Sequence, residues 1–475
     1  MKLPLLSHPK NKYVLDESLG NLQIMEHKLA RNCLTEFVIG FDLNEFRSKR
    51  DVQNLINTIE KQYFHRLATD KISFLESIRI GWKLPKFALA PVLQVVVPLL
   101  LRAPARVKRL QIMINETIPL PIMERLISRT TLETLDLQSM RIQTRSISQP
   151  RSTHTGWRNS ESQSRSSSPV SSTTKSLPTE KEQFILSDDI VLAVLPYLPP
   201  TITTLKLNDC NLQVEHIPRL IEILRTKIHV RVLSLRHNRR LYMNGWEHDL
   251  IEKLPFLTAL DLSICDLDSV DGMRLAAALA KNTKSKLQCL NVAGNYGLRE
   301  SIPELVKACS RKGITELDCS FCDVQSKYQC EIFEFLATDK QCSIRSLKMQ
   351  SIRIKNPAPL IQCIEKNTSL ERLIIDFPRV PCPLTPDTFE KISVAIRNNY
   401  HLQVLQIDSA WNQDRTVLKE IEHWTELNRC GRSILLHDKS RYRYWPQVLA
   451  RAASLQDRDS FYWIVRNGAE QFAMS

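Results

Sequence analysis

Glycine is scarce in this sequence, with 11 residues among 475. None of these glycines lies in a G-x-G-x-x-G or G-x-x-x-x-G-K-[ST] arrangement, so the chain has no dinucleotide-binding fingerprint, P-loop or kinase glycine-rich loop. A G-x-S-x-G nucleophile turn and an H-E-x-x-H zinc motif are also absent. The sequence therefore predicts a protein that is not an enzyme and that needs no cofactor or metal ion.

Long apolar runs are missing as well. The longest, Phe87 to Leu101, spans 15 residues and contains Pro91 and Pro98, whereas a helix needs about 20 apolar residues to cross a bilayer. The apolar run after Met1 is too short for a secretory signal. We therefore expect a cytoplasmic protein, with the nucleus as an alternative, whose twelve cysteines are mostly free thiols.

The chain does contain an internal repeat. The pattern L-x-x-L-x-L-x-x-(N/C), where L is any aliphatic residue, recurs along the chain, and its five clear copies are spaced 27 to 30 residues apart. Five clear copies begin at Ile202, Val230, Leu257, Leu287 and Ile314. Further copies begin at Val107, Leu132, Ile344, Leu370 and Leu402, and two weaker ones at Leu34 and Leu75. Such a period predicts a solenoid of stacked supersecondary units.

Each copy predicts a short strand with inward-pointing aliphatic residues, followed by a turn in which a polar side chain satisfies buried backbone groups. In the five clear copies the turn residue alternates between cysteine and asparagine: Cys210, Asn238, Cys265, Asn295 and Cys322. This alternation predicts a super-period of two repeats.

Apolar residues at helical spacing fill the segments between the strands, as in Ile217-Leu220-Ile221-Leu224 and Met273-Ala276-Leu279-Ala280. A strand and a helix about every 28 residues predict an α/β leucine-rich repeat solenoid, or horseshoe. Its parallel sheet should line the concave face and its helices the convex face, with helical caps at the ends. In its long repeats and alternating turns, the region of residues 107–412 resembles the ribonuclease-inhibitor-like leucine-rich repeat family, a resemblance that implies a surface for binding other proteins.

Departures from the repeat give the predicted domain boundaries. Residues 1–33 form an N-terminal flank, residues 34–142 the first repeats and residues 180–412 the main array. Residues 413–475 form a helical C-terminal cap, with predicted helices at Val417 to Leu436 and Tyr444 to Ala453. A cap of this kind would cover the apolar end of the solenoid.

Residues 143–179 interrupt the array. Of these 37 residues, 18 are serine or threonine, and such a composition cannot bury a core, so it predicts a disordered Ser/Arg-rich insertion. Ser168 lies three residues after Arg165 and directly before Pro169. It is therefore a candidate phosphorylation site, where a phosphate would add about −1.5 to −2 charges. The alternative is a passive loop.

Cys319 and Cys322 form a C-x-x-C pair, which in isolation resembles half of a zinc site. Both residues occupy inward positions of the repeat, and no second pair of ligands is available. The sequence therefore favours core packing for this pair.

The strand and turn positions that face away from the core are the expected partner-binding residues on the concave face. These are Lys206, Asp209, Arg236, His237, Asp261, Asn291, Glu316, Asp318, Phe321, Lys348 and Asp376. The set is mixed in sign, with its acids concentrated at Asp261, Glu316 and Asp318.

Positive charge is concentrated in the first part of the chain. Residues 1–179 carry a net charge of +11 and the remaining residues +3, which together make +14. The predicted basic patch consists of Arg47, Lys49, Arg50, Arg102, Arg106, Lys108 and Arg109. Such a patch can attract an acidic protein, nucleic acid or an anionic membrane surface. Capture of a basic ribonuclease, the activity that names the family, is not expected from a basic chain.

The sequence favours a non-catalytic scaffold that binds a protein partner through the concave face, with phosphorylation of the Ser-rich insertion as a candidate means of regulation. Two alternatives stay open. One is a regulatory leucine-rich repeat protein that acts on a small GTPase. The other is a basic adaptor that binds nucleic acid or an anionic membrane surface.

Overall fold

The structure is a computed structural model. It describes residues 12–15, 36–40, 77–82, 108–114, 124, 127–128, 131–139, 187–227, 229–239, 241, 245–352, 354–376, 384–407, 415–432, 445–454, 462 and 465–466. Predictions that fall on other residues lie outside this description.

The described strands form one parallel sheet in which each strand pairs with the next along the chain. They are β1 Lys12–Leu15, β2 Glu36–Gly40, β3 Ser77–Trp82, β4 Arg109–Ile114, β5 Thr134–Ser139, β6 Thr204–Asn208, β7 Val232–Ser234, β8 Ala259–Asp261, β9 Cys289–Asn291, β10 Glu316–Asp318, β11 Ser346–Gln350, β12 Arg372–Asp376 and β13 Val404–Ile407.

The described helices follow the strands from β5 onward. They are α1 Ser187–Val194, α2 Ile217–Arg225, α3 Trp246–Lys253, α4 Ser269–Lys281, α5 Ile302–Lys312, α6 Ser326–Thr338, α7 Ala358–Lys366, α8 Pro386–Asn398, α9 Arg415–Arg429 and α10 Trp445–Ser454. Successive helices pack against one another, as α4 does against α5 and α6 against α7.

A row of leucines on the inner side of the sheet forms the centre of the core. The register places Leu205, Leu233, Leu260, Leu290 and Leu317 side by side on consecutive strands. Each is 0–2% exposed because the helices cover that side of the sheet. Sequential parallel pairing, with a helix returning the chain after each strand, confirms the predicted leucine-rich repeat solenoid.

The predicted role of the turn asparagines is also confirmed. The Oδ1 atom of Asn295 accepts hydrogen bonds from the backbone N–H groups of Cys265 at 2.8 Å and Leu267 at 3.1 Å, both in the preceding repeat. Its Nδ2 atom donates to two backbone carbonyl oxygens at 2.9 and 2.7 Å. Asn238 makes the same four hydrogen bonds one super-period earlier.

The turn cysteines use a different contact. The Cys265 thiol donates a hydrogen bond to the carbonyl oxygen of Leu235 in the preceding repeat, with a distance of 3.2 Å. The residue after each turn cysteine has a left-handed backbone, with φ of 55° at Asn211, 57° at Asp266 and 52° at Asp323. The alternation in the sequence thus corresponds to two distinct turns: an asparagine holds the cysteine turn of the repeat before it.

The helix predicted from Met273, Ala276, Leu279 and Ala280 is present as α4, in which Ala276 and Leu279 are buried while Met273, at 49%, and Ala280 are exposed. One sequence-based detail is wrong. The helix expected to reach Leu436 ends at Arg429, shortly before Gly431, whose φ of 100° is incompatible with a continuing right-handed helix.

Strands are also present near the two weakest copies of the repeat. Residues Phe37 and Ile39 of β2 lie in register with Ile78 and Ile80 of β3. These are the inward apolar positions expected of a repeat strand, although Phe37 is aromatic where the repeat has an aliphatic residue.

Candidate partner-binding surface

The outer face of the sheet carries a row of polar side chains between the leucine positions. The register brings together, on consecutive strands from β6 to β11, Lys206, Ser234, Asp261, Asn291, Asp318 and Lys348. Successive side chains of a strand point to opposite faces, so this row faces away from the core. Five of the residues predicted from the sequence therefore lie in one line across the sheet.

A groove of about 220 Å³ lies over the middle of this face. Its lining combines apolar strand residues with Asp261, Asn291, Glu316, Asp318 and Lys348. We call these five residues the groove residues. Among them, three carboxylates face a single ammonium group, so the groove is acidic although the whole chain carries +14.

The carboxylates at the ends of β8 and β10 also bind local backbone. Asp261 Oδ1 accepts a hydrogen bond from the Ser263 N–H at 3.0 Å, and Asp318 Oδ1 accepts one from the Ser320 N–H at 3.1 Å. Asn291, at the same position of β9, accepts the equivalent hydrogen bond through its Oδ1 atom from the Ala293 N–H, at 3.0 Å. A neutral amide can therefore support this turn, and the negative charges of the two aspartates are not needed for it.

The remaining oxygen of each aspartate contacts a neighbouring strand. Asp261 Oδ2 accepts a hydrogen bond from Ser234 Oγ at 3.0 Å, and Asp318 Oδ2 lies 3.7 Å from Lys348 Nζ. Both side chains of this ion pair are partly exposed, at 24% and 42%, so the pair contributes little to stability. The aspartates are thus held in fixed positions while remaining open to solvent.

Cys289 is a groove-lining residue that the sequence analysis did not select. It begins β9 and lies in register with Glu316. Partial burial raises the pKa of its thiol, and the neighbouring Glu316 carboxylate raises it further by charge and by a hydrogen bond. The thiol is therefore protonated at neutral pH, which disfavours nucleophilic chemistry there.

Two more predicted residues meet at the edge of the sheet where the strands end. His237 Nδ1 lies 3.2 Å from Asp209 Oδ1, and His237 Nε2 lies 3.2 Å from the Arg239 guanidinium. Both ring nitrogens thus have partners, and the ring links two neighbouring turns. Asp209 and His237 have φ of 51° and 65°.

Phe321 lies at the same edge, three residues after Asp318. Its side chain is 42% exposed, and its φ of 57° belongs to the left-handed position that precedes each turn residue. Arg236 is exposed and Lys206 is half-buried. Asp376 is the last residue of β12, where it pairs with Gln350.

The predicted basic patch is described only in part. Lys108 is half-buried and Arg109, the first residue of β4, is exposed. Arg47, Lys49, Arg50, Arg102 and Arg106 lie outside the described residues, as do Ser168 and the whole insertion.

Cys319 and Cys322 are each 1% exposed and belong to the core cluster. Within the described part of the chain, no group of three or more His, Cys, Asp or Glu side chains is arranged to hold a metal ion. No described helix has the length and apolar character needed to cross a membrane.

A buried acid pair escaped the sequence analysis. Glu247 on α3 is 0% exposed and Asp271 on α4 is 1% exposed. Burial and the Asp271 carboxyl raise the pKa of Glu247 to about 7, against the opposing charge of Arg274. The sequence signal was weak because both residues stand in the polar first turns of helices, where acids are common.

The chain was compared with family models, with curated proteins and with solved structures, and matches were found among the solved structures. No family model matches the chain, and no curated protein matches it. The leucine-rich repeat-containing protein LegL7 from Legionella pneumophila is 13% identical over 68% of this chain and 90% of its own, with a TM-score of 0.42. The leiomodin-1 actin-binding site 2 structure is 16% identical over 32% of this chain and 88% of its own, with a TM-score of 0.29.

A third solved structure is the tropomodulin C-terminal domain from Caenorhabditis elegans. It is 18% identical over 33% of this chain and 93% of its own, with a TM-score of 0.28. The class of the protein follows from its own stacked strands, leucine row and asparagine turns: it is a leucine-rich repeat solenoid.

Proposed function

We propose that this chain is a non-catalytic scaffold that holds a protein partner on the concave face, over β8 to β11. The observation that carries the proposal is the groove of about 220 Å³, whose polar residues are fixed by the sheet and open to solvent. An exposed aromatic residue, Phe321, lies at the end of a groove strand. Aromatic anchors beside polar groups are typical of protein interfaces.

The alternating cysteine and asparagine turns support placing the chain among the ribonuclease-inhibitor-like repeats. That placement is consistent with a binding role, since long repeats of this kind present a wide, rigid sheet face. The polar residues of the groove stand on strands, which fixes their spacing.

Affinity capture with the full chain tests the proposal. A concave variant combines Glu316→Ala with Phe321→Ala, which removes an exposed acid and an exposed aromatic residue from the groove region. A matched convex variant combines Glu334→Ala on α6 with Val394→Ala on α8, which are also exposed. The concave variant should lose a polypeptide that the wild-type chain and the convex variant both capture.

Retention of every captured polypeptide by the concave variant would contradict the proposal. Thermal unfolding of all three proteins serves as the control for folding, because all four positions are exposed and each variant should keep a cooperative unfolding transition.

A further inference from the structure

The charge on the outer face of the sheet changes sign along the solenoid. Acids stand on β8 and β10, at Asp261, Glu316 and Asp318, and Lys348 follows on β11. The register then places Arg372 of β12 beside Ser346 on the same face. The acidic zone is therefore followed directly by Lys348 and Arg372, with Asp376 at the far end of β12.

The acidic charge is in excess of what the local backbone needs. Asn291 supports the same turn on β9 with a neutral amide, so aspartates at the equivalent positions of β8 and β10 are not required for the fold. Lys348 pairs with only one of the three groove carboxylates, Asp318. Negative charge is thus left facing solvent in the groove.

We infer that the segment bound in the groove is an extended peptide of the partner, in which the basic residues and the acidic residues form two separate blocks. This inference rests on the proposed function and specifies its partner. The basic residues would face Asp261, Glu316 and Asp318, and the acidic residues would face Lys348 and Arg372.

Strand spacing sets the length of the segment. Neighbouring strands lie about 4.8 Å apart, so the path from β8 to β12 is about 19 Å. An extended peptide rises about 3.3 Å per residue, so about six residues cross the two zones. The basic and acidic residues should therefore stand in separate halves of a six-residue stretch, rather than alternate.

Fluorescence anisotropy with the full chain tests this inference. The probes are fluorescein-labelled peptides of identical composition: a segregated peptide, with three lysines and three aspartates in separate blocks and made in both block orders, and a peptide in which lysine and aspartate alternate. At low ionic strength the segregated peptide should bind at least fivefold more tightly, and added salt should remove the difference, because the contacts are solvent-exposed charges.

Matched variants assign the binding to the groove. The double variant Asp261→Asn, Asp318→Asn keeps an acceptor for each turn, as Asn291 shows, and removes two charges. It should abolish the preference for the segregated peptide. The control double variant Glu334→Gln, Glu365→Gln removes the same charge from exposed positions of α6 and α7 and should retain the preference.

Equal affinity for the segregated and alternating peptides, binding of neither, or an unchanged preference in the Asp261→Asn, Asp318→Asn variant would overturn the inference. The proposed function itself would survive such a result if the concave variant Glu316→Ala, Phe321→Ala still lost its captured polypeptide.

Discussion

Replacing Glu247 by glutamine should make the stability of the solenoid less sensitive to a rise in pH from 5 to 8. Glu247 on α3 is fully buried beside the buried Asp271 of α4. Burial and this neighbouring carboxyl raise the pKa of Glu247 from 4.5 to about 7. Glutamine keeps the size and polarity of the side chain but does not ionise.

The direction of the effect follows from proton binding. Between pH 4.5 and 7 the folded protein binds more protons at this site than the unfolded chain, so the free energy of unfolding falls as pH rises through this window. The separation of the two pKa values corresponds to about 3 kcal/mol of stability, most of which is lost between pH 5 and pH 8. The Glu247→Gln variant should not lose this stability as the pH rises, because glutamine does not titrate.

Urea unfolding at pH 5, 6, 7 and 8, at constant ionic strength, measures the effect. The stability of Glu247→Gln relative to wild type should rise by about 2–3 kcal/mol between pH 5 and pH 8. Glu334→Gln, at an exposed position of α6, is the control and should follow the wild type. Parallel pH profiles for Glu247→Gln and wild type would refute the reasoning, since they would show that Glu247 does not titrate with a raised pKa.

Two further predictions concern the packing of the repeats and are measured by urea unfolding at pH 7. Asn295→Ala removes four buried hydrogen bonds and should lower the free energy of unfolding by about 3–5 kcal/mol. Cys265→Ala should lower it by only about 1–2 kcal/mol. Equal losses of stability in the two variants would contradict the distinct roles of the two turns. Gly297→Ala would place a Cβ 2.7 Å from a backbone carbonyl oxygen of the preceding repeat and should cost about 2 kcal/mol. Gly313→Ala meets nothing within 4 Å and should cost only about 1 kcal/mol, for its φ of +83°; the reverse order would contradict the steric account.

Much of the fold was predictable because the repeat specifies it many times over. A single aliphatic strand residue carries little information, but Leu205, Leu233, Leu260 and their counterparts recur in phase, and only stacking can bury them all. The turn asparagines were predictable for the same reason, since Asn238 and Asn295 follow their leucines at a fixed offset. The buried face of a helix was less predictable: on α4, with its many small residues, two of the four apolar residues at helical spacing, Met273 and Ala280, are exposed.

For the candidate site, strand alternation predicted which side chains face outward but not which of them lie together. Alternation identified Asp261, Asn291 and Asp318 as outward-facing, but their alignment in one groove depends on the register between strands. Cys289 was missed because a cysteine at an outward strand position looks like any other small residue. The Glu247–Asp271 pair was missed because its burial arises from the packing of two helices, which no local pattern encodes.

The account depends most directly on the claim that the outer face of the sheet, and not the helical face, contacts the partner. Hydroxyl-radical footprinting of the full chain with and without its captured partner tests this claim, with Phe321 reporting on the groove region and Met273 of α4 on the helical face, both well exposed in the free chain. The account predicts that the partner reduces oxidation of Phe321 several-fold and leaves Met273 unchanged. Protection of Met273 with unchanged oxidation of Phe321 would contradict it.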